Sequence, residues 1–76
     1  MAMTRHSILA GRCYRDTFGA IYRVIAFDGN GVQCVLLHRD ERGMLTERDH
    51  TESWADFLAD LQGEVECPGT RMAANG

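Results

Sequence analysis

Lysine is absent from this sequence, so all eight basic side chains are arginines. Long apolar runs are also absent: the longest, residues 20–27, is interrupted by Tyr22 and Arg23. A membrane-spanning helix requires ~18 apolar residues. Residues 1–10 contain no apolar stretch of the kind found in secretory signals. We therefore expect a cytoplasmic protein that does not associate with membranes.

Cysteine is scarce, and the three that occur, Cys13, Cys34 and Cys67, are odd in number and far apart. Secreted mini-proteins stapled by disulfides normally show a denser and even set. The spacing therefore predicts reduced thiols. Pairing of Cys13 with Cys34 on adjacent strands stays open as an alternative.

Familiar catalytic and metal-binding motifs are missing as well. The cysteines and histidines show neither Cys-x-x-Cys nor His-x-x-x-His spacing, which structural zinc sites usually display. The sequence has no P-loop and no dinucleotide-binding fingerprint. No glycine-rich loop follows a cysteine to serve a nucleophile. We therefore predict no metal, no cofactor and no catalytic residues, and a chain that is not an enzyme.

The composition that remains is that of one small globular domain, with 76 residues, 45% hydrophobic and 25% charged. The net charge of −3 is unevenly distributed. Through Arg39, five arginines oppose two acids; from Asp40 onward, three arginines oppose nine acids. Such asymmetry bears on binding partners rather than on the fold.

Short β-type segments fill the first two thirds of the chain. Residues 12–16, 20–27, 32–39 and 44–47 are predicted strands, separated by turns of the type Asp-x-x-Gly. Asp28-Gly29-Asn30-Gly31 is the clearest of these turns, because Asx-Gly pairs favour tight hairpins. Connections this short require antiparallel pairing.

The period then changes to that of a helix. Trp54, Phe57, Leu58 and Leu61 have the spacing of one helical stripe, which predicts a helix over about residues 52–62. We predict a loose N-terminal arm at 1–10, a single β-rich domain at 11–63 and a disordered tail at 64–76. The fold class is α+β: a small antiparallel sheet or partly open SH3-like barrel of four strands, followed by one C-terminal amphipathic helix.

Two segments, Gly11-Arg-Cys-Tyr14 and Gly19-Ala-Ile-Tyr22-Arg-Val24, resemble the opening of small bacterial and phage proteins of unknown function. That resemblance implies an SH3-like fold and an origin on a mobile element, and it transfers no catalytic residue. A plasmid-borne type of dihydrofolate reductase is also a short SH3-like chain and acts as a tetramer. Its Val-Gln-Ile-Tyr signature is broken here by Cys34 and Val35. Such a reductase nevertheless shows that a small barrel can build an active site by assembly, so an enzyme active only as an oligomer is the third hypothesis.

Two surfaces are candidates for binding. The leading hypothesis is a non-catalytic module that binds a protein partner, with basic partners favoured, or a second copy of itself. It would use an edge strand or an acidic helix side, and the acidic residues are Asp49, Glu52, Asp56 and Asp60. The second hypothesis is a nucleic-acid-binding regulatory protein. Its arginines would interleave with tyrosines for base stacking, at Arg12, Tyr14, Arg15, Tyr22 and Arg23.

Overall fold

Segments rich in β-branched and aromatic residues, separated by tight turns, form most of the fold. A computed structural model describes residues 3–68. In chain order the strands and the helix are β1 (Cys13–Asp16), β2 (Ile21–Phe27), β3 (Gly31–Arg39), β4 (Leu45–Ser53), α1 (Trp54–Ala59) and β5 (Leu61–Val65). A 3-10 turn, Arg5–Ser7, precedes β1. The strands form one antiparallel sheet in the order β4-β3-β2-β1-β5. The predicted small antiparallel sheet is therefore confirmed.

Aspartates stabilise the turns between the first four strands. The Asp16 carboxylate accepts hydrogen bonds from the backbone N–H groups of Phe18 and Ala20, each at 2.9 Å. Asp28 and Asp40 cap the next two turns in the same way. These contacts satisfy backbone donors that a tight turn leaves without a partner, as expected for aspartate at the first turn position.

The predicted helix over residues 52–62 is wrong in length, and it is not the last element, because β5 follows α1. Helix α1 has six residues, and Ser53 caps it by accepting a hydrogen bond from the Asp56 N–H at 3.2 Å. Leu61 begins β5 instead of a third helical turn. Its side chain is nevertheless buried with Trp54 and Phe57 in one cluster. Within residues 3–68, no helix is long and apolar enough to cross a membrane.

The ends of the chain differ from the sequence predictions. Ile8, expected in a loose arm, is 2% exposed and belongs to the core. Glu64 and Val65, expected in the tail, lie in β5 beside β1. Residues 69–76 of the predicted tail, like residues 1 and 2, fall outside the described part of the chain.

A disulfide joins Cys13 to Cys67, with Cα atoms 5.2 Å apart, so the prediction of reduced thiols is wrong for this pair. The alternative Cys13–Cys34 pairing is also wrong. Cys34 is a buried free thiol in a different cluster from Cys13. The disulfide fastens the segment after β5 to β1, across a sequence separation of 54.

Both faces of the sheet carry apolar side chains. We call the face that packs against α1 the helix face; its buried residues are Tyr14, Val24, Val32, Cys34, Trp54, Phe57 and Leu61, joined by Ile8. We call the opposite face the outer face; its apolar residues are Cys13, Ile21, Val35, Leu37, Leu45, Val65 and Cys67. A bulge at Ile25 shifts the β2–β3 register between Val24 and Ala26. Phe27 therefore packs against Trp54, at 5.5 Å between ring centroids, and not on the face of Ile21 as strict alternation predicts.

Candidate functional site

The predicted arginine–tyrosine surface is divided between the two faces of the sheet. Tyr14 lies opposite Tyr22 on the helix face, whereas Cys13 lies opposite Arg23 on the outer face. Arg15 falls on the outer face with Arg23, because consecutive strand residues point to opposite sides. The structure therefore brings two of the arginines together and separates them from the rings with which they alternate in sequence.

Arg12 and Arg23 are also engaged in ion pairs. The Arg12 guanidinium contacts the Glu64 carboxylate at 2.7 Å, and that of Arg23 approaches the Glu47 carboxylate at 3.5 Å. Each carboxylate offsets part of the positive charge that a phosphate contact would use. Arg15 is exposed on β1.

The two tyrosines act as structural residues. Tyr14 is 0% exposed; its hydroxyl accepts a hydrogen bond from the Leu9 N–H at 2.8 Å and donates one to the Ser7 carbonyl at 3.2 Å. Tyr22 is half-buried and donates to the Asp16 carboxylate at 3.3 Å. Burial, followed by the negative charge of Asp16, raises the pKa of Tyr22 to about 12. A fully buried Tyr14 cannot stack on a base.

The four predicted acidic residues do not share one face. Asp49 and Glu52 are three apart on β4, so their side chains point to opposite sides of the sheet. Glu52 is half-buried and pairs with His50 at 3.2 Å. Asp56 belongs to α1, and Asp60 follows its last residue. The acidic helix side therefore consists of Asp56 and the end of a short helix, and it does not extend onto β4 as one surface.

Cys34 lies directly opposite His50, which in turn pairs with Glu52, so a thiol, an imidazole and a carboxylate lie along two strands. The thiol is nevertheless only 1% exposed. Burial and then the charge of Glu52 raise the pKa of Cys34 to about 11, which keeps it protonated at neutral pH. A reactive cysteine needs the opposite, an accessible group with a lowered pKa. Cys34 therefore behaves as a small core residue.

Potential metal ligands are similarly dispersed. Among residues 3–68, no three His, Cys, Asp or Glu side chains are placed to hold one metal ion.

Strand β4 is the feature that the sequence predictions underestimated. It runs for nine residues, Leu45–Ser53, rather than over residues 44–47, and it forms one edge of the sheet. All nine residues pair with β3 in an unbroken register. Most of the side chains on β4 are exposed. After Leu45 all of its residues are charged or polar, so the alternation of apolar and polar residues that usually indicates a strand is missing.

The free side of β4 presents a regular row of backbone groups. The Asp40 N–H donates to the Met44 carbonyl at 2.9 Å. Asp40 and Met44 are therefore a hydrogen-bonded pair, and counting from this pair shows which opposite residues of β3 and β4 exchange hydrogen bonds. Because such pairs alternate along an antiparallel ladder, every second β4 residue turns its N–H and C=O away from β3. These residues are Leu45, Glu47, Asp49, Thr51 and Ser53.

Side chains beside this backbone row differ between the two faces. Glu47 and Asp49 flank it on the outer face, while Arg48, His50 and Glu52 flank it on the helix face. Mixed charges on an edge strand limit indiscriminate pairing and leave selective pairing available.

Comparisons of the chain with protein-family models, with curated proteins and with solved structures gave no match.

Proposed function

We propose that this chain is a non-catalytic binding module whose binding surface is the free edge of β4. An extended segment of a partner polypeptide would join the sheet there as a sixth strand. The observation that carries the proposal is the outward row of N–H and C=O groups on an exposed nine-residue edge strand. Such a row is a template for pairing with another chain, and several peptide-binding domains use it.

The opposite edge is less suitable. Strand β5 has only five residues. The segment after β5 is bonded to β1 through Cys67, and just before β5 the Asp60 carbonyl accepts a hydrogen bond from the Thr17 N–H at 2.8 Å. The longer β4 offers more main-chain hydrogen bonds. In this mode of recognition those bonds supply affinity, and alternate side chains supply specificity.

The proposal also includes a more specific fold than a small antiparallel sheet. We assign the sheet to a partly open SH3-like barrel wrapped around the helix-face cluster. The strand order β4-β3-β2-β1-β5, with a short helix between β4 and β5, supports this assignment. A sheet curled in this way keeps β4 and β5 as its open margins.

Charge on the outer face favours a partner with basic side chains. Glu47 already neutralises Arg23 in part, while Asp49 is exposed on the same face two residues further along β4. A partner strand with arginine or lysine opposite Asp49 would gain a cross-strand charge pair. Nucleic-acid binding gains less support, because Arg15 and Arg23 lie on the face opposite to Tyr14 and Tyr22.

A peptide-display selection against the immobilised protein tests the proposed edge. We expect the selected peptides to be extended and to bind Asp49→Pro at least tenfold more weakly than the wild type. Proline removes an N–H that points away from β3, so the sheet keeps its own hydrogen bonds. Asp49→Ala is the matched control, because it removes the charge and keeps the N–H.

A second measurement examines the same edge without mutation. Bound peptide should slow hydrogen exchange at the amides of Glu47, Asp49 and Thr51 and leave the amides of β5 unchanged. Peptides that bind Asp49→Pro as tightly as wild type, or that protect other amides, would contradict the proposal.

A further inference from the structure

The charges on β4 restrict which strands can pair with it, including a second copy of β4. A two-fold axis perpendicular to the sheet joins two edge strands antiparallel and keeps corresponding faces on the same side. Residues that lie opposite each other must then belong to the same face, so they are separated by an even number of positions along β4. Every symmetric register therefore has one central residue that lies opposite the same residue of the second copy. The possible dimers can therefore be compared register by register.

Five symmetric registers pair five or more residues of β4, and three of these five place like charges opposite each other. A register centred on Glu47 or on Asp49 sets that carboxylate against its own copy. A register centred on Arg48 sets arginine against arginine and also Glu47 against Asp49. Like charges directly opposite each other destabilise an antiparallel pair. These three registers are therefore disfavoured by the sequence of β4 itself.

The register centred on His50 has the opposite property. It places Arg48 opposite Glu52 of the second copy and, by symmetry, Glu52 opposite Arg48, which gives two cross-strand ion pairs. Asp49 then faces Thr51, and both belong to the residues whose backbone groups point outward. The same arrangement therefore aligns hydrogen-bonding backbone groups and complementary charges.

The number of paired residues distinguishes the register centred on His50 from the one centred on Thr51. Centring on His50 pairs residues 47–53 of both copies. Centring on Thr51 pairs only residues 49–53, because the strand gives way to α1 at Trp54. The longer overlap adds main-chain hydrogen bonds.

We propose that the edge which binds extended peptides also binds β4 of a second copy, paired antiparallel in the register centred on His50. This inference rests on the proposed function, since it names the occupant of the same edge. One strand pair buries a small area, so the dimer belongs to the weak and reversible class of interfaces. Peptides that bind the edge would compete with it.

Charge-swap variants test the register. Sedimentation velocity should show wild type passing from monomer to dimer between about 10 μM and 1 mM, the range of weak interfaces. Arg48→Glu and Glu52→Arg should each raise the dissociation constant about tenfold or more, because two attractive pairs become repulsive. The double variant should recover a value within about threefold of wild type.

Arg42→Glu is the matched control, because it makes the same charge change at an exposed position in the β3–β4 turn. It should leave the dissociation constant unchanged. A wild-type chain that stays monomeric at 1 mM, while selected peptides still require the Asp49 N–H, would overturn the dimer and leave the proposed function intact. A dimer that survives Asp49→Pro would overturn the use of the β4 edge by the second copy. Failure of the double variant to recover dimerisation would overturn the register.

Discussion

Breaking the disulfide between Cys13 and Cys67 should remove a large part of the stability of this domain. We expect Cys67→Ala to lower the free energy of unfolding by about 4 kcal/mol, the chain-entropy value for a loop of the observed 54-residue separation. A domain of 76 residues typically has about 4 to 11 kcal/mol in total. Alanine at position 67 leaves Cys13 as a buried thiol, which behaves as a small apolar group.

Urea unfolding followed by tryptophan fluorescence measures this difference, since Trp54 lies in the core. Addition of a dithiol reductant should destabilise the wild type by a similar amount and leave Cys67→Ala unchanged. A loss below about 1 kcal/mol in Cys67→Ala would refute the reasoning, because the unfolded chain would then gain little freedom from losing the bond. A reductant effect on Cys67→Ala would show that the wild-type response has another cause.

Three further predictions concern the core and its titration. Gly31→Ala should cost about 1 to 3 kcal/mol in urea unfolding, because an added Cβ would lie 2.5 Å from the Glu52 carbonyl oxygen. Iodoacetamide at pH 8 should leave Cys34 unmodified in the native protein and modify it in urea, as measured by mass spectrometry. Stability should hold below about pH 9 and fall as the pH rises toward 12, because burial raises the pKa of Cys34 to about 11 and that of Tyr22 to about 12. The folded chain then retains protons that the unfolded chain loses, and Cys34→Ala should remove the part of the decline between pH 9 and 11, which we estimate at about 2 to 3 kcal/mol.

Local sequence signals predicted the first three strands and their turns well. Asp-x-x-Gly turns bring their own hydrogen-bond acceptor, so the chemistry that forms them is contained in four residues. Strand β5 gave no such signal. Its hydrogen bonds are made to β1, far away in sequence, and Leu61 also fits the helical stripe of Trp54. The disulfide was missed for the same reason, since only β5 brings Cys67 to Cys13.

The candidate site was less predictable than the fold. Tyr14 and Arg15 are adjacent in sequence, and only the alternation of an actual strand reveals that they serve opposite faces. Strand β4 lacks an apolar face, so its length depends on pairing with β3 rather than on its own side chains. Asp49, Asp56 and Asp60 are exposed and Glu52 is half-buried, but α1 is too short to gather them on one surface. Edge position follows from the complete strand order, which no single segment encodes.

The bond between Cys13 and Cys67 also determines how the domain would respond to mechanical force. It closes a covalent ring that contains all five strands and α1. Tension applied to the two ends of the chain would pass directly from one cysteine to the other and would not reach these elements. Under oxidising conditions the sheet, and the β4 edge with it, would therefore stay intact when neighbouring segments are pulled.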